Sequence, residues 1–143
     1  IIGALPDLPG HSLTIVGKGP YEQELRLLAA EKRVADRICW KKDLPRQELI
    51  REYFTAGVFI SLSSFEAYGI TVAEALASGL PVIVNGNGAL GEFVDGETCI
   101  GIDPLKEDLA DAIRSLRPGT GYRKKILDWD EVVERIIDTY SGA

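Results

Sequence analysis

Two glutamates, Glu66 and Glu74, stand eight positions apart around a short turn that contains Gly69. Glu66 follows an apolar run, and Glu74 lies one turn into a helical segment that begins near Ile70. The first N–H groups of this helix, near Gly69, Ile70 and Thr71, have no partners within the helix and can bind an anion at its positive end. Each flanking carboxylate can accept hydrogen bonds from two neighbouring hydroxyls, and Gly69 allows another group to approach the backbone closely. The pattern fits a ligand with a phosphate in its middle and a diol at each end, which is the shape of a nucleotide sugar.

Composition and the other reactive residues exclude several classes of protein. Sixteen Lys and Arg against 22 Asp and Glu give a net charge of −6, whereas a nucleic-acid-binding protein needs a basic face. His11 is the single histidine, so a zinc site or a Ser-His-Asp triad is not expected, and Ser63 and Ser64 are interpreted as turn or cap residues. Cys39 and Cys99 lie in apolar stretches without a C-x-x-C spacing, which indicates buried free thiols. We predict no metal site.

Short strand-like runs alternate with helical runs along the chain. The predicted strands are apolar and rich in β-branched residues, and they cover Ser12–Val16, Arg37–Trp40, Val58–Leu62, Pro81–Val84 and Thr98–Ile102. Helices are predicted to begin at Pro20 and Pro45 and to cover Ile70–Ser78, with Gly79 ending the last of these. Apolar residues at helical spacing form the faces Leu25/Leu28/Ala29, Leu49/Ile50/Tyr53/Phe54, Leu105/Leu109/Ala112/Ile113/Leu116 and Val132/Val133/Ile136/Ile137/Tyr140, and a short helix is predicted over Tyr122–Leu127.

Apolar strands that alternate with helices indicate a parallel sheet that is covered on both faces. We therefore expect a single α/β domain over residues 1–143, with a Rossmann-like, doubly wound parallel sheet of about five strands. Ligands of such sheets bind beyond the carboxyl ends of the strands. The loops in that position are Gly17–Pro20, Lys41–Pro45, Ser63–Gly69, Asn85–Gly91 and Asp103–Pro104.

Several of these loop residues have two interpretations. Gly17-Lys18-Gly19 follows a strand as in a dinucleotide-binding fingerprint, but Glu22 occupies the place of the third glycine, which favours a tight turn. The pair Lys41-Lys42 either is solvated or contacts the ligand. Trp40 either packs at the core and its rim or stacks on a base, and Asn85–Gly91 is either a flexible loop on the acceptor side or the start of a helix.

Residues 63–83 resemble the E-x7-E signature of the retaining glycosyltransferases of family 4, which have the GT-B fold. The signature residues are Glu66-Ala67-Tyr68-Gly69-Ile70 and Glu74-Ala75-Leu76, followed by Ala77-Ser78-Gly79-Leu80-Pro81-Val82-Ile83. Three other segments are similar to family motifs and occur in the same order: Ile15-Val16-Gly17-Lys18-Gly19-Pro20; Gly88-Ala89-Leu90-Gly91-Glu92-Phe93-Val94, with Ala89 in place of a second glycine; and Trp129-Asp130-Glu131-Val132-Val133. The resemblance therefore covers nearly the whole chain.

The resemblance implies that the chain is the C-terminal, donor-binding domain of an enzyme that moves a sugar from a nucleoside diphosphate to an acceptor hydroxyl with retention of configuration. Glu66 would be the catalytic residue, at the ring hydroxyls of the donor sugar, and Glu74 would hold the ribose. Other donor contacts would come from Tyr68, Gly69, Ile70, Thr71, Gly17 and Lys42. The donor would be a UDP- or GDP-sugar, and no further cofactor is implied.

The sequence also departs from the family pattern. The family usually carries a Gly-Arg…Lys segment on its first strand, whose cations neutralise the leaving diphosphate, and the chain has no such segment before Ile1. Because the chain starts at Ile1 and has no methionine, we expect it to be a fragment of a two-domain enzyme, with Ile1–Leu5 as the tail of the first helix and the acceptor-binding N-terminal domain missing. Trp40 stands where a glycine is common. We therefore expect the isolated chain to be inactive and to bind donors weakly or not at all.

Two other functions fit parts of the pattern, namely a non-catalytic nucleotide-binding or scaffolding domain and a GT-B sugar-nucleotide epimerase. The filled E-x7-E pattern disfavours the epimerase. No apolar run approaches the roughly 18 residues of a membrane span, and the first residues do not form a signal peptide. We expect a cytoplasmic location, with membrane contact only through the other half of the parent enzyme.

Overall fold

The computed structural model describes residues 1–116, over which strands and helices alternate as predicted. The strands are β1 (Leu13–Val16), β2 (Ile38–Lys41), β3 (Phe59–Ser61), β4 (Val82–Asn85) and β5 (Cys99–Ile102). The α-helices are α1 (Glu22–Glu31), α2 (Arg46–Thr55), α3 (Ile70–Ala77) and α4 (Leu109–Ser115). Three 3₁₀ helices cover Ile2–Asp7, Ala35–Arg37 and Ala89–Phe93. The helices predicted over residues 122–140 and the Trp129 segment lie outside the described residues.

All strand pairs of the described chain are parallel, which confirms the α/β class. β1 pairs with β2, and β4 lies between β3 and β5. The five strands thus form two hydrogen-bonded sheets, of two and three strands, where the alternation alone suggests one. Every residue of β4 is buried, whereas half-buried and exposed positions alternate in β1.

The core is divided in the same way as the strands. The largest group of buried side chains lies between α3 and β4 and includes Val72, Leu76, Val82 and Val84, all fully buried. A second group joins the first 3₁₀ helix to α1 and β2, and a third lies under α4. Burying a leucine such as Leu76 stabilises the fold by about 2–3 kcal/mol, so the larger group contributes most of the hydrophobic free energy.

The first 3₁₀ helix, Ile2–Asp7, contacts both α1 and α4. Its carbonyl groups at Leu5 and Leu8 accept hydrogen bonds from the Arg37 guanidinium, and the carbonyl of Asp7 accepts from Arg114 at 2.5 Å. The segment predicted as the tail of a helix is therefore a short helix of the 3₁₀ type, fixed by two arginines.

Three details of the predicted core are wrong. Leu105 is 93% exposed, because Asp103 holds it in a turn and α4 begins only after Asp108, whose carboxylate accepts the N–H of Ala110. Ile50 and Phe54 of α2 are exposed, since the core contacts the row of Leu49 and Tyr53. Cys39 is exposed because it points outward from β2, although it and Cys99 are both free thiols as predicted. None of the helices described over residues 1–116 is long and apolar enough to cross a membrane.

Candidate functional site

The turn between β3 and α3 carries Glu66. The hydroxyl of Ser63 closes this turn, because it donates to the carbonyl of Phe65 at 2.6 Å and accepts the Phe65 N–H at 3.3 Å. The carboxylate of Glu66 folds over the same turn, and its Oε1 accepts the N–H groups of Ala67 at 3.1 Å and Tyr68 at 3.4 Å. Ser63 is therefore a turn residue, as predicted, and the backbone itself orients Glu66.

Gly69 has a left-handed conformation, with φ of +62°, and it caps the amino end of α3. A side chain here would be strained, and its Cβ would lie 2.7 Å from Phe93 Cε2 and 3.0 Å from Leu90 Cδ2. The groups that approach Gly69 closely are the side chains of Phe93 and Leu90. The sequence gives no local signal for this contact, since Phe93 lies 24 positions away.

Around the start of α3, Gly69 is buried and three neighbouring side chains are exposed. No side chain caps this helix end. Thr71 is exposed, and Tyr68 and Ile70 are 81% and 62% exposed. Glu74 follows four residues after Ile70, which is about 6 Å further along the helix axis. Glu66 therefore lies in the turn before α3, and Glu74 lies in the second turn of the helix.

Glu74 has a partner that the sequence analysis missed. The hydroxyl of Tyr53, on α2, donates to Glu74 Oε2 at 3.1 Å. Tyr53 is 7% exposed, and its ring packs against Phe59 with 5.8 Å between centroids. Burial, together with the hydrogen bond to Glu74, raises the pKa of Tyr53 to about 12. The only sequence signal for Tyr53 is its place on the apolar face of α2, which suggests packing alone.

The glycine-rich loop after β4 packs against the β3–α3 turn. Cβ atoms built at Gly88 and Gly91 would lie 3.6 Å from the carbonyl oxygen of Ser64 and 2.6 Å from that of Gly86. Asn85, 6% exposed, accepts the N–H of Asn87 at 3.0 Å through its side chain. The structure agrees with the second interpretation of this loop, the start of a helix, because a 3₁₀ helix begins at Ala89.

At the carboxyl ends of β1 and β2, the charged side chains pair with one another. The N–H of Gly17, which has φ of +140°, donates to the carbonyl of Lys41 at 2.9 Å and prolongs the parallel pairing. Lys42 Nζ lies 2.5 Å from Glu22 Oε2. Hydrogen bonds from Lys42 and then Arg26 hold the pKa of Glu22 below its usual value. Gly17 and Lys42 therefore lie at neighbouring strand ends, as predicted.

Trp40 and Lys41 connect β2 to the helices beside it. Arg26 of α1 lies over the Trp40 ring, 4.5 Å from its centroid, and Trp40 packs against the second core group. The core-and-rim interpretation of Trp40 is thus the one that the structure has. Lys41 pairs with Glu52 of α2 at 2.6 Å. Since Glu52 precedes Tyr53, α2 contacts both β2 and α3 through adjacent residues.

A separate cavity of about 350 Å³ lies between the first 3₁₀ helix and α4. Its lining includes Asp7, Glu107 and Asp108 and contains none of the predicted donor-binding residues. Three carboxylates make it unfavourable for a diphosphate. Among residues 1–116, no three His, Cys, Asp or Glu side chains are grouped so that they could hold a metal ion.

Comparison with known proteins identifies a family and several relatives. The sequence profile of the family described as "Glycosyl transferases group 1" matches residues 1–127. A GDP-mannose-dependent alpha-(1-6)-phosphatidylinositol monomannoside mannosyltransferase of Mycolicibacterium smegmatis is 31% identical, over 99% of this chain and 44% of its own length. A D-inositol 3-phosphate glycosyltransferase of Thermomonospora curvata is 30% identical, over 100% of this chain and 37% of its own length. The chain thus spans less than half of each relative.

Solved structures show the same fold. A sucrose-phosphate synthase from Thermosynechococcus elongatus superposes with a TM-score of 0.77 at 25% identity, over 99% of this chain and 40% of its own. WaaG, a glycosyltransferase involved in lipopolysaccharide biosynthesis, superposes with a TM-score of 0.64 at 24% identity, over 80% of this chain and 33% of its own. The fold of this chain is accordingly that of part of a GT-B enzyme.

Proposed function

We propose that this chain, which belongs to the glycosyl transferases of group 1, is the half of such an enzyme that binds the nucleotide-sugar donor. The whole protein would transfer a sugar to an acceptor hydroxyl with retention of configuration. The proposal is supported by the uncapped first turn of α3, which follows Glu66 in the chain and precedes Glu74. The relatives are named as transferases, which favours transfer over the epimerase and scaffolding alternatives.

Each group of the turn has a chemical task in this proposal. Glu66, oriented by the backbone of its own turn, would accept hydrogen bonds from the ring hydroxyls of the donor sugar. Glu74 would accept those of the ribose. The N–H groups of Gly69, Ile70 and Thr71, beside Tyr68, would stabilise the negative charge that develops on the diphosphate as it leaves. Because Glu66 would contact hydroxyls and not the anomeric carbon, the acceptor can attack on the same face without a covalent glycosyl-enzyme.

The base of the donor would lie nearer to β1 and β2. Gly17 and the backbone of Lys42 are at the carboxyl ends of these strands, on the side where ligands of parallel sheets bind. The donor would be a UDP- or GDP-sugar. One relative is named for its dependence on GDP-mannose, and one GT-B neighbour was solved in complex with UDP and GlcNAc.

The division of the sheet supports a larger parent protein. A doubly wound sheet has the strand order 3-2-1-4-5-6. Without strand 1, this order leaves the pair 3-2 and the triplet 4-5-6, which correspond to β2–β1 and β3–β4–β5 of this chain. We expect a segment outside residues 1–143 to supply this strand together with cations for the diphosphate, and a further domain to bind the acceptor. The cytoplasmic location stays a prediction.

The isolated chain would then bind donors poorly. We expect calorimetric titration of the 143-residue chain with UDP-glucose and GDP-mannose to show weak binding or none, because in this proposal the cations for the diphosphate lie on a segment outside it. Micromolar binding by this chain would contradict the expectation.

Replacement of Glu66 tests the function in the full-length protein. Transfer from radiolabelled GDP-mannose and UDP-glucose identifies the donor. We then expect Glu66→Ala to lower kcat by about 100-fold, because contacts that strengthen in the transition state are lost. Glu74→Ala should mainly raise the donor KM. Glu31→Ala, an exposed change on α1, is the matched control and should leave transfer unchanged. Near-normal kcat in Glu66→Ala would contradict the proposed function.

A further inference from the structure

The contact between Tyr53 and Glu74 joins a buried phenol to a residue of the proposed donor site. Tyr53 lies in the largest core group, among Val72, Leu76 and Val84, and its hydroxyl donates to Glu74 Oε2 at 3.1 Å. A buried tyrosine hydroxyl usually has a partner, since an unpaired polar group in the core is costly. In this fold the partner is a carboxylate on the surface of the next helix, not another core group.

The geometry of a carboxylate makes this contact useful. A carboxylate has two oxygens, so a donor that holds Oε2 leaves Oε1 able to accept from a ligand. The phenol is neutral, so it orients the carboxylate and leaves its negative charge in place. A lysine in the same position would cancel that charge. Because burial keeps the pKa of Tyr53 far above neutrality, it remains a hydrogen-bond donor over the whole physiological pH range.

The helix that carries Tyr53 is itself fixed at the other side of the proposed site. Glu52, the preceding residue, pairs with Lys41 at 2.6 Å, and this ties α2 to the end of β2. The Tyr53 ring packs against Phe59 of β3. The hydroxyl therefore has a fixed place relative to both strands, which a positioning group needs.

We propose that Tyr53 is a positioning residue, whose hydroxyl holds the Glu74 carboxylate in the orientation that binds the ribose hydroxyls of the donor. This inference rests on the proposed function, in which Glu74 contacts the ribose. It goes further in assigning a role to a core residue that touches no ligand.

Binding of nucleotides with and without ribose hydroxyls tests this role in the full-length protein. UDP and GDP are compared first, and the one that binds more tightly is used together with its 2′,3′-dideoxy counterpart. The Kd of each is measured by calorimetry. We expect the wild-type protein to prefer the ribose form, and Glu74→Ala to lose this preference. Tyr53→Phe should reduce the preference about three- to tenfold, the net effect of one hydrogen bond, while binding of the dideoxy form changes less than twofold.

A matched core variant separates positioning from stability. Leu49→Ala removes a side chain that packs against the same core group one turn away on α2. It should lower the thermal midpoint more than Tyr53→Phe does and keep the ribose preference. An unchanged preference in Tyr53→Phe, alongside a lost one in Glu74→Ala, would overturn the role of Tyr53 alone. A preference that survives Glu74→Ala would overturn the assignment of Glu74 and the role of Tyr53 with it.

Discussion

The two sheets of this domain hold their functional groups by different physical means. At the end of β1 and β2, exposed side chains pair with one another, as Lys42 does with Glu22 and Lys18 with Asp43. At the end of β3, Glu66 is held by backbone N–H groups and Glu74 by a tyrosine from the core. Exposed ion pairs contribute little and are screened by salt, whereas bonds to backbone and core groups have a fixed geometry.

The strands beneath the two ends also differ in burial, and the strand beside the β3 end is the more buried. The strand beside the β3 end, β4, is fully buried, while the residues of β1 alternate between half-buried and exposed. Residues that must hold a diol to within a fraction of an ångström require rigid support. If the proposed function is correct, the β3 end would do the chemistry, and the β1–β2 end would contribute mainly through its backbone.

The largest expected effect comes from truncating the core of each sheet in the full-length protein. Leu76, fully buried beside β4, and Leu5, 5% exposed near β2, are the same residue type. We expect Leu76→Ala to lower the free energy of unfolding by about 4 kcal/mol and Leu5→Ala by about 2–3 kcal/mol, because the second site can collapse into its cavity more easily. Urea denaturation measures both. Equal losses would show that the two cores are equally rigid.

A smaller effect is expected at the turn that links the β3 end to its support. Gly69→Ala would place a methyl group against Phe93 in a left-handed conformation, at a cost of about 2 kcal/mol. The control is Gly57→Ala, where φ is ordinary and a Cβ meets nothing within 4 Å. We expect only Gly69→Ala to lower stability and donor binding together. A neutral Gly69→Ala would mean that Phe93 moves aside freely.

Most elements of the fold could be predicted because their signals are local. The apolar run before Ser63 and the helical spacing after Ile70 place Glu66 and Glu74 to within a residue or two. Contacts between distant segments have no such signal. Tyr53 reaches Glu74 across 21 positions, and nothing in the residues around Tyr53 distinguishes a positioning hydroxyl from a packed ring.

The errors have the same physical origin. Leu105 fits the helical spacing of α4, but the local bonds of Asp103 and the cap at Asp108 decide where the helix begins. Cys39 lies in an apolar run, yet β2 is an edge strand in a two-stranded sheet and has one face to solvent. Burial depends on which strand pairs with which, and this is set by the whole sheet.

The smallest expected effects concern two carboxyls, one beside each sheet, whose pKa values are both low. Burial alone would raise the pKa of Asp95, near β5. The N–H of Cys99, the Thr98 hydroxyl and the N–H groups of Glu97 and Thr98 outweigh it and hold this pKa well below its usual range. Glu22 owes its lowered pKa to side chains, chiefly Lys42. A carboxyl with a lowered folded pKa stabilises the fold above its unfolded pKa near 4, and this contribution is lost as pH falls through the folded pKa.

Salt should separate these two carboxyls, because mobile ions screen exposed side chains far more than bonds to the backbone. We expect Asp95→Asn to lower the free energy of unfolding at pH 7 by about 1 kcal/mol, a value reduced for the exposure of the side chain, in both low salt and 1 M NaCl. The loss caused by Asp95→Asn should shrink towards pH 2. Below about pH 4 the Asp95 carboxyl of the unfolded wild-type chain binds a proton, so the ionised carboxyl stabilises the wild-type fold less. Glu22→Gln should have a smaller effect that vanishes in 1 M NaCl. Urea denaturation at both pH values measures each variant. Equal salt sensitivity at Asp95 and Glu22 would contradict the contrast between charges that are held by the backbone and charges that are held by other side chains.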